Sequence, residues 1–171
     1  MSLTLKMEEA LNEQLAAEFS SAYLYLSMSG YFETANLPGM SHWMYQQFQE
    51  EQNHKMKFFR YIYDRGGKVI LKSIDAPKSE WSSALNVFEE SLEHEQGVSK
   101  RINNLVDLSL AEKDHATFQF LQWYVSEQVE EEATLSKIID DLRKVQNSPS
   151  ALFFVDKELG NRTDVPDTGA N

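Results

Sequence analysis

A chain of 171 residues, 42% hydrophobic and 12% aromatic, has enough apolar surface for one globular domain with a true core. It contains no cysteine, which excludes disulfides, finger-type zinc sites and iron–sulfur clusters, and leaves oxygen and imidazole to hold any metal. Sixteen Lys+Arg against 27 Asp+Glu give a formal charge of −11, which argues against nucleic acid or anionic lipid as partners and favours small cations.

Glycine and proline cluster at a few places and leave long uninterrupted segments between them. Helix A is expected over about 5–36, before Pro38, and helix B over about 39–65, stopped by Gly66 and Gly67. Residues 66–82, with Pro77 and no helical period, form a long connection. Helix C is expected over about 83–111, and helix D over about 114–145 with Asp114 as its N-cap. Ser148 and Pro149 look like an N-cap and N1 pair, and Gly160 like a terminator, so a short fifth helix over about 149–159 precedes a polar tail, 161–171. Each long helix spans roughly 40 Å at ~1.5 Å per residue. Short A–B and C–D links make antiparallel hairpins, and the long middle link can travel the whole bundle, so B and C can run parallel. The expected fold is a single all-α domain, 1–171, a four-helix bundle with one long crossover. Ala151, Leu152, Phe153, Phe154, Val155 and Leu159 give the fifth helix an apolar surface beyond the bundle, expected to serve assembly. The run 151–155 is too short to span a bilayer, and no basic region followed by an apolar stretch opens the chain, so a cytoplasmic, membrane-free protein is expected.

Stepping by four and three along helix A gives Leu11, Leu15, Glu18, Ala22, Tyr25, Ser29 and Phe32. On helix B the seam is Met40, Met44, Gln47, Glu51, His54, Phe58 and Tyr61; on helix C it includes Phe88, Glu95, Val98, Ile102 and Leu105. Helix D contributes Leu121, Tyr124, Gln128, Glu131, Leu135, Ile138 and Leu142. Every seam carries an ionisable group near its midpoint, and none carries Lys or Arg. A lone Glu on a seam is usually a surface residue. Four at one level are different: isolated buried carboxylates cost several kcal/mol each or take up protons, whereas two divalent cations neutralise all four. Oxygen ligands with one imidazole suit iron or manganese, and Glu51-x-x-His54 places both side chains on one helix face.

The layout is close to that of di-iron carboxylate bundles, except that helix D carries Gln128-x-x-Glu131 where a second Glu-x-x-His would stand. The runs Gln49-Glu50-Glu51-Gln52-Asn53-His54 and Phe120 to Glu132 closely resemble prokaryotic non-haem ferritins, and the resemblance covers about residues 4–160. It implies a ferroxidase that stores iron: Fe²⁺ enters, binds as a pair, is oxidised by O₂ or H₂O₂, and passes as Fe³⁺ to a mineral inside a hollow homo-oligomeric shell of twenty-four subunits. Glu18, Glu51 and His54 match the ligands of the first iron, with Glu51 bridging. Glu95 and Glu131 match those of the second, Gln128 lies beside it, and Tyr25 matches the family's tyrosine near the centre. Glu50, Glu127 and Glu130 match ligands of a third iron site that borrows Glu131. The haem methionine of bacterioferritins would fall at Gln52, so no haem is expected, and Met44 and Met56 are read as packing residues.

Three carboxylates, Glu50, Glu127 and Glu130, lack an evident partner in the sequence, since helix D has no Lys or Arg from 114 to 136; the plain alternative is a solvated acidic face. His94 points about 100° away from Glu95 on an ideal helix and reads as structural. Glu112, Asp114 and His115 mark either an iron channel or an ordinary helix end, and Trp43, Trp81 and Trp123 read as packing residues. Competing functions are a di-iron peroxidase or oxygenase that forms no storage shell, a DNA-protecting mini-ferritin, and a metal-free helical module.

Overall fold

A computed structural model describes residues 2–145 and 147–165. Among them the chain forms α1 (Leu5–Thr34), α2 (Pro38–Asp64), α3 (Ala84–Ala111), α4 (His115–Val145) and α5 (Pro149–Leu159). Helix starts follow the capping residues. Thr4 accepts from Met7 N at 3.2 Å, Asp114 from Thr117 N at 3.1 Å and Ser148 from Ala151 N at 3.3 Å, and Ser83 caps α3 in the same way. Ser83, placed at the start of helix C by the sequence pattern, therefore stands just outside it as a cap, and Asp114 caps α4 as expected.

The first three long helices end alike. Asn36, Gly66 and Lys113 take left-handed φ of 57°, 70° and 57°. The next amide then reaches back to close the last turn, Leu37 to Phe32 O, Gly67 to Ile62 O and Asp114 to Ser109 O. Helix A stops at Thr34, short of the expected 36, because Asn36 adopts this reversal.

Direction is read from side-chain pairs. Along α1 and α3, Ser21 meets His94, Met28 meets Ser91 and Phe32 meets Phe88, an antiparallel pairing. Along α2 and α4, Gln47 meets Glu131, and Tyr61 meets Thr117, again antiparallel. With α3 and α4 antiparallel through Arg143–Glu89 and Gln128–Glu95, α2 and α3 run parallel. The crossover makes this possible by climbing α1: Ile70 N donates to Asn12 Oδ1 at 2.7 Å, and Ser27 donates to Lys78 O at 2.7 Å.

The core has two apolar halves. One gathers Met28, Phe32, Met40, Trp43, Phe88 and Leu142; the other gathers Leu11, Phe58, Ile62, Ile102, Leu121 and Tyr124. All four predicted seams are buried apart from Tyr61, which is half-buried while Ile62 turns inward. The fifth helix splits its apolar residues: Leu152, Val155 and Leu159 pack on the bundle, whereas Phe153 and Phe154 face outward at 59% and 70% exposure. Thus the expected single apolar surface is two faces, because a helix with both faces apolar still seats one on the bundle. Its Asp156 is buried and accepts from Met40 N at 2.8 Å and Gly39 N at 3.2 Å, supplying the cap that Leu37 cannot give α2. Gly39 is required there, since a Cβ on it would lie 1.7 Å from Asp156 O.

Candidate metal centre

Between the two apolar halves lies a layer of polar side chains, one or more from each long helix. Glu18 (α1), Glu51 and His54 (α2), Glu95 (α3) and Gln128 and Glu131 (α4) are all buried there, along with Gln47 of α2. The seam registers bring them together: each helix reaches its polar residues near mid-length, and both apolar halves fix the helices' relative heights.

Among the described residues, Glu18, Glu51 and His54 offer ligand atoms that all lie within 4.8 Å of one another. His54 Nδ1 stands 3.5 Å from Glu51 Oε2, an oxygen that is buried and accepts no hydrogen bond. The His54 ring is held edge-on by Trp123 and Tyr124, with centroids 5.3 and 6.1 Å away, and the Tyr124 hydroxyl donates to His54 O at 2.8 Å. Gln14, one turn before Glu18, donates to Glu18 Oε1 at 2.6 Å.

The other two carboxylates are held by neutral donors. Tyr25 donates to Glu95 Oε1 at 2.5 Å, and Gln128 Nε2 donates to Glu95 Oε2 at 2.9 Å. Gln47 Nε2 donates to Glu131 Oε2 at 2.9 Å, leaving its own Oε1 buried without a partner. Glu95 and Glu131 thus share the layer with Glu18, Glu51 and His54 without joining their close group. Gln14 was not singled out by the sequence, and Gln47 only as a seam position; the available signal for both was a position four residues before a seam Glu, on the same face.

The electrostatics follow from burial without a cation. Burial, then the charge of Glu51, holds the Glu18 carboxyl well above the ordinary range; burial, then Glu95, does the same for Glu51. Burial, then Glu95 and Glu50, pushes Glu131 up to about 7. Burial, then Glu95, raises the Tyr25 phenol, which stays protonated as the donor to Glu95. With no Lys or Arg in the layer to supply a counter-charge, Glu18, Glu51 and Glu131 hold protons more tightly than exposed carboxyls do.

Outside this layer the three remaining sequence candidates are scattered. Glu50 and Glu127 are half-buried and Glu130 is exposed. Glu50 is not unpartnered, contrary to the sequence reading: Arg162 Nη2 donates to Glu50 Oε2 at 2.5 Å. Glu127 is not isolated either, because its charge acts on Lys57 of α2. Both partners come from other segments, so inspection of helix D alone missed them. His94 is hydrogen-bonded through Nε2 to Ser21 Oγ at 2.8 Å, and Asp114 is paired with Arg65 at 3.0 Å while capping α4. Met44 is core and Met56 is 36% exposed. Trp43 and Trp81 pack in the core, whereas Trp123 is partly exposed between His54 and Lys57.

The ferritin-like domain family matches residues 8–145. The chain belongs to the ferritin family. A bacterial non-haem ferritin from Bacteroides fragilis is 46% identical over 157 residues, spanning 92% of this chain and 98% of that one. One from Staphylococcus aureus is 38% identical over 94% of this chain and 97% of its own length. Among solved structures, an open-pore ferritin from the hyperthermophilic archaeon Archaeoglobus fulgidus superposes with a TM-score of 0.94 at 52% identity, covering 95% of this chain and all of that one. A closed form engineered from the Archaeoglobus ferritin gives 0.94 at 51% identity. Membership supports iron storage as the general function, and no helix among the described residues is long and apolar enough to cross a membrane.

Proposed function

We propose that this ferritin stores and detoxifies iron by oxidising Fe²⁺ at a two-iron centre within each subunit and keeping the Fe³⁺ as mineral in a hollow, cytoplasmic homo-oligomer of twenty-four chains. The observation that carries the reading is the buried trio Glu18, Glu51 and His54, with Glu51 Oε2 accepting no hydrogen bond, facing two further buried carboxylates in one layer. Iron is substrate and cargo here. Glu18, Glu51 and His54 take the first Fe²⁺, Glu51 bridges, and Glu95 and Glu131 take the second with Gln128 beside them. Glu50, Glu127 and Glu130 serve a third iron that shares Glu131, and haem plays no part.

The residues' share of the chemistry is positioning and charge. Two divalent cations replace the protons held on Glu18, Glu51 and Glu131, so binding releases protons and relieves burial of like charges. Each Fe²⁺ then gives up one electron. O₂ takes the pair with two protons and leaves as H₂O₂, or H₂O₂ takes it with two protons and leaves as two waters. Anionic oxygen ligands favour the ferric product, which supplies the driving bias at the centre. Tyr25 fixes Glu95, and Gln47 fixes Glu131, so the second position keeps its carboxylates aimed into the layer. Phe153 and Phe154 are the part of α5 left for contact with other subunits.

Anaerobic titration with Fe²⁺, followed by stopped-flow oxidation, tests the reading. Two tight sites per chain and a fast first phase are expected, with particle sizing of the mineral-loaded protein reporting a closed shell. Stoichiometry below two, or oxidation no faster than in buffer, would overturn it.

A further inference from the structure

After α5 the described residues stay on the bundle. Residues 161–165 turn back along α2 and are clasped at several points. Gln46 Nε2 donates to Asp164 Oδ1 at 3.2 Å, Val165 N donates to Gln46 Oε1 at 2.8 Å, and His42 Nε2 lies 3.0 Å from Arg162 O. This segment presents Arg162 to Glu50. Nη2 donates to Glu50 Oε2 at 2.5 Å, Nη1 donates to Trp43 O at 3.3 Å, and the guanidinium lies 4.6 Å over the Trp43 ring. Both side chains are only 21% and 25% exposed, so the pair is less screened than an ordinary surface ion pair.

Glu50 also acts on the inner layer: its charge raises both Glu51 and Glu131. A guanidinium bonded to Oε2 of Glu50 and a metal ion on the same carboxylate exclude one another, by space and by like charge. We propose that Arg162 is an internal counter-ion that competes with a divalent cation for Glu50, so that this residue of the C-terminal segment sets how readily a third iron binds beside the pair centre. The inference rests on the assignment of Glu50 to a third site. Two further anchors keep the arginine in reach when the pair opens: the Trp43 ring and Trp43 O hold the guanidinium, and the Gln46 clasp holds the backbone. Cation release then restores the pair without refolding of the segment.

The test uses the full-length, metal-free protein with Co²⁺, which binds oxygen and imidazole ligands without being oxidised by air under these conditions. Equilibrium dialysis counts cations per chain in the parent, Arg162→Gln, Arg162→Lys and Arg162→Gln/Glu50→Gln. The first two cations are expected to bind in all four. The third should bind roughly tenfold tighter in Arg162→Gln, stay near the parent in Arg162→Lys, and lose the gain in the double variant. A third affinity unchanged by Arg162→Gln, a gain that survives Glu50→Gln, or no third cation in Arg162→Gln overturns the role of Arg162. Absence of the first two cations instead overturns the pair centre, so the two failures are told apart.

Discussion

The inner and outer glutamates differ by one step along the same helices. Glu51 and Glu131 are buried; their neighbours Glu50 and Glu130 are half-buried and exposed. A rotation of about 100° on the helix thus turns one carboxyl into a desolvated group holding a proton and the next into an ion-paired or hydrated one. Asp156 completes the contrast: it is buried as Glu51 is, yet two backbone amides satisfy it. Backbone amides make Asp156 a structural element, whereas Glu51 Oε2, which accepts no hydrogen bond, is left open to a cation.

The largest effect separates inner from outer residues by rate. Glu51→Ala and His54→Ala should each abolish rapid iron oxidation in stopped flow while circular dichroism stays helical, because each removes a ligand without opening a large apolar cavity. Fast oxidation retained in both variants would erase the distinction.

Next comes pH. Glu131 has its folded-state pKa raised to about 7 from an ordinary 4.5, so the folded metal-free chain binds more protons than the unfolded chain between those values. Stability therefore falls as pH rises through that window, by roughly 3 kcal/mol for this group alone. The raised Glu18 and Glu51 act in the same direction. Guanidinium unfolding of the metal-free protein at pH 5 and pH 7.5 should show the loss, and saturation with Zn²⁺ should remove it. Greater metal-free stability at pH 7.5 would contradict the electrostatics of the layer.

Buried carboxylates should also respond oppositely to neutralisation. Asp156→Asn loses charged acceptance at the start of α2 and should cost about 1–2 kcal/mol. Glu51→Gln in the metal-free chain relieves like-charge burial and should be neutral or stabilising by about 1 kcal/mol. Chemical denaturation of both variants without metal measures the sign, and equal destabilisation would show that Glu51 is held by partners as Asp156 is.

The smallest effect is expected at the exposed end of the outer row. Glu130→Ala should leave stability within about 0.5 kcal/mol and keep two-iron binding and the fast first oxidation. It should alter the O₂-to-iron ratio or the rate on repeated iron additions. Identical stoichiometry and identical repeat kinetics in variant and parent would leave Glu130 as plain solvated surface.

Helix number, the seams and the residues of the polar layer were legible in the sequence because period and capping are local. Apolar residues recurring at three and four mark the buried stripe, Ser148 and Asp114 mark starts, and Gly66 marks a reversal; each signal lies within one turn of what it specifies. A glutamate inside such a stripe is desolvated wherever the stripe is buried, so Glu18, Glu51, Glu95 and Glu131 announce themselves. Only the tertiary structure decided which donors meet them and which cations neutralise their neighbours. Gln47 reaches Glu131 across two helices, Asp156 caps a helix more than a hundred residues earlier, and Arg162 pairs with Glu50 from beyond the last helix. Such contacts carry no periodic signature, because they depend on how helices dock in space and not on the spacing of residues along any one of them.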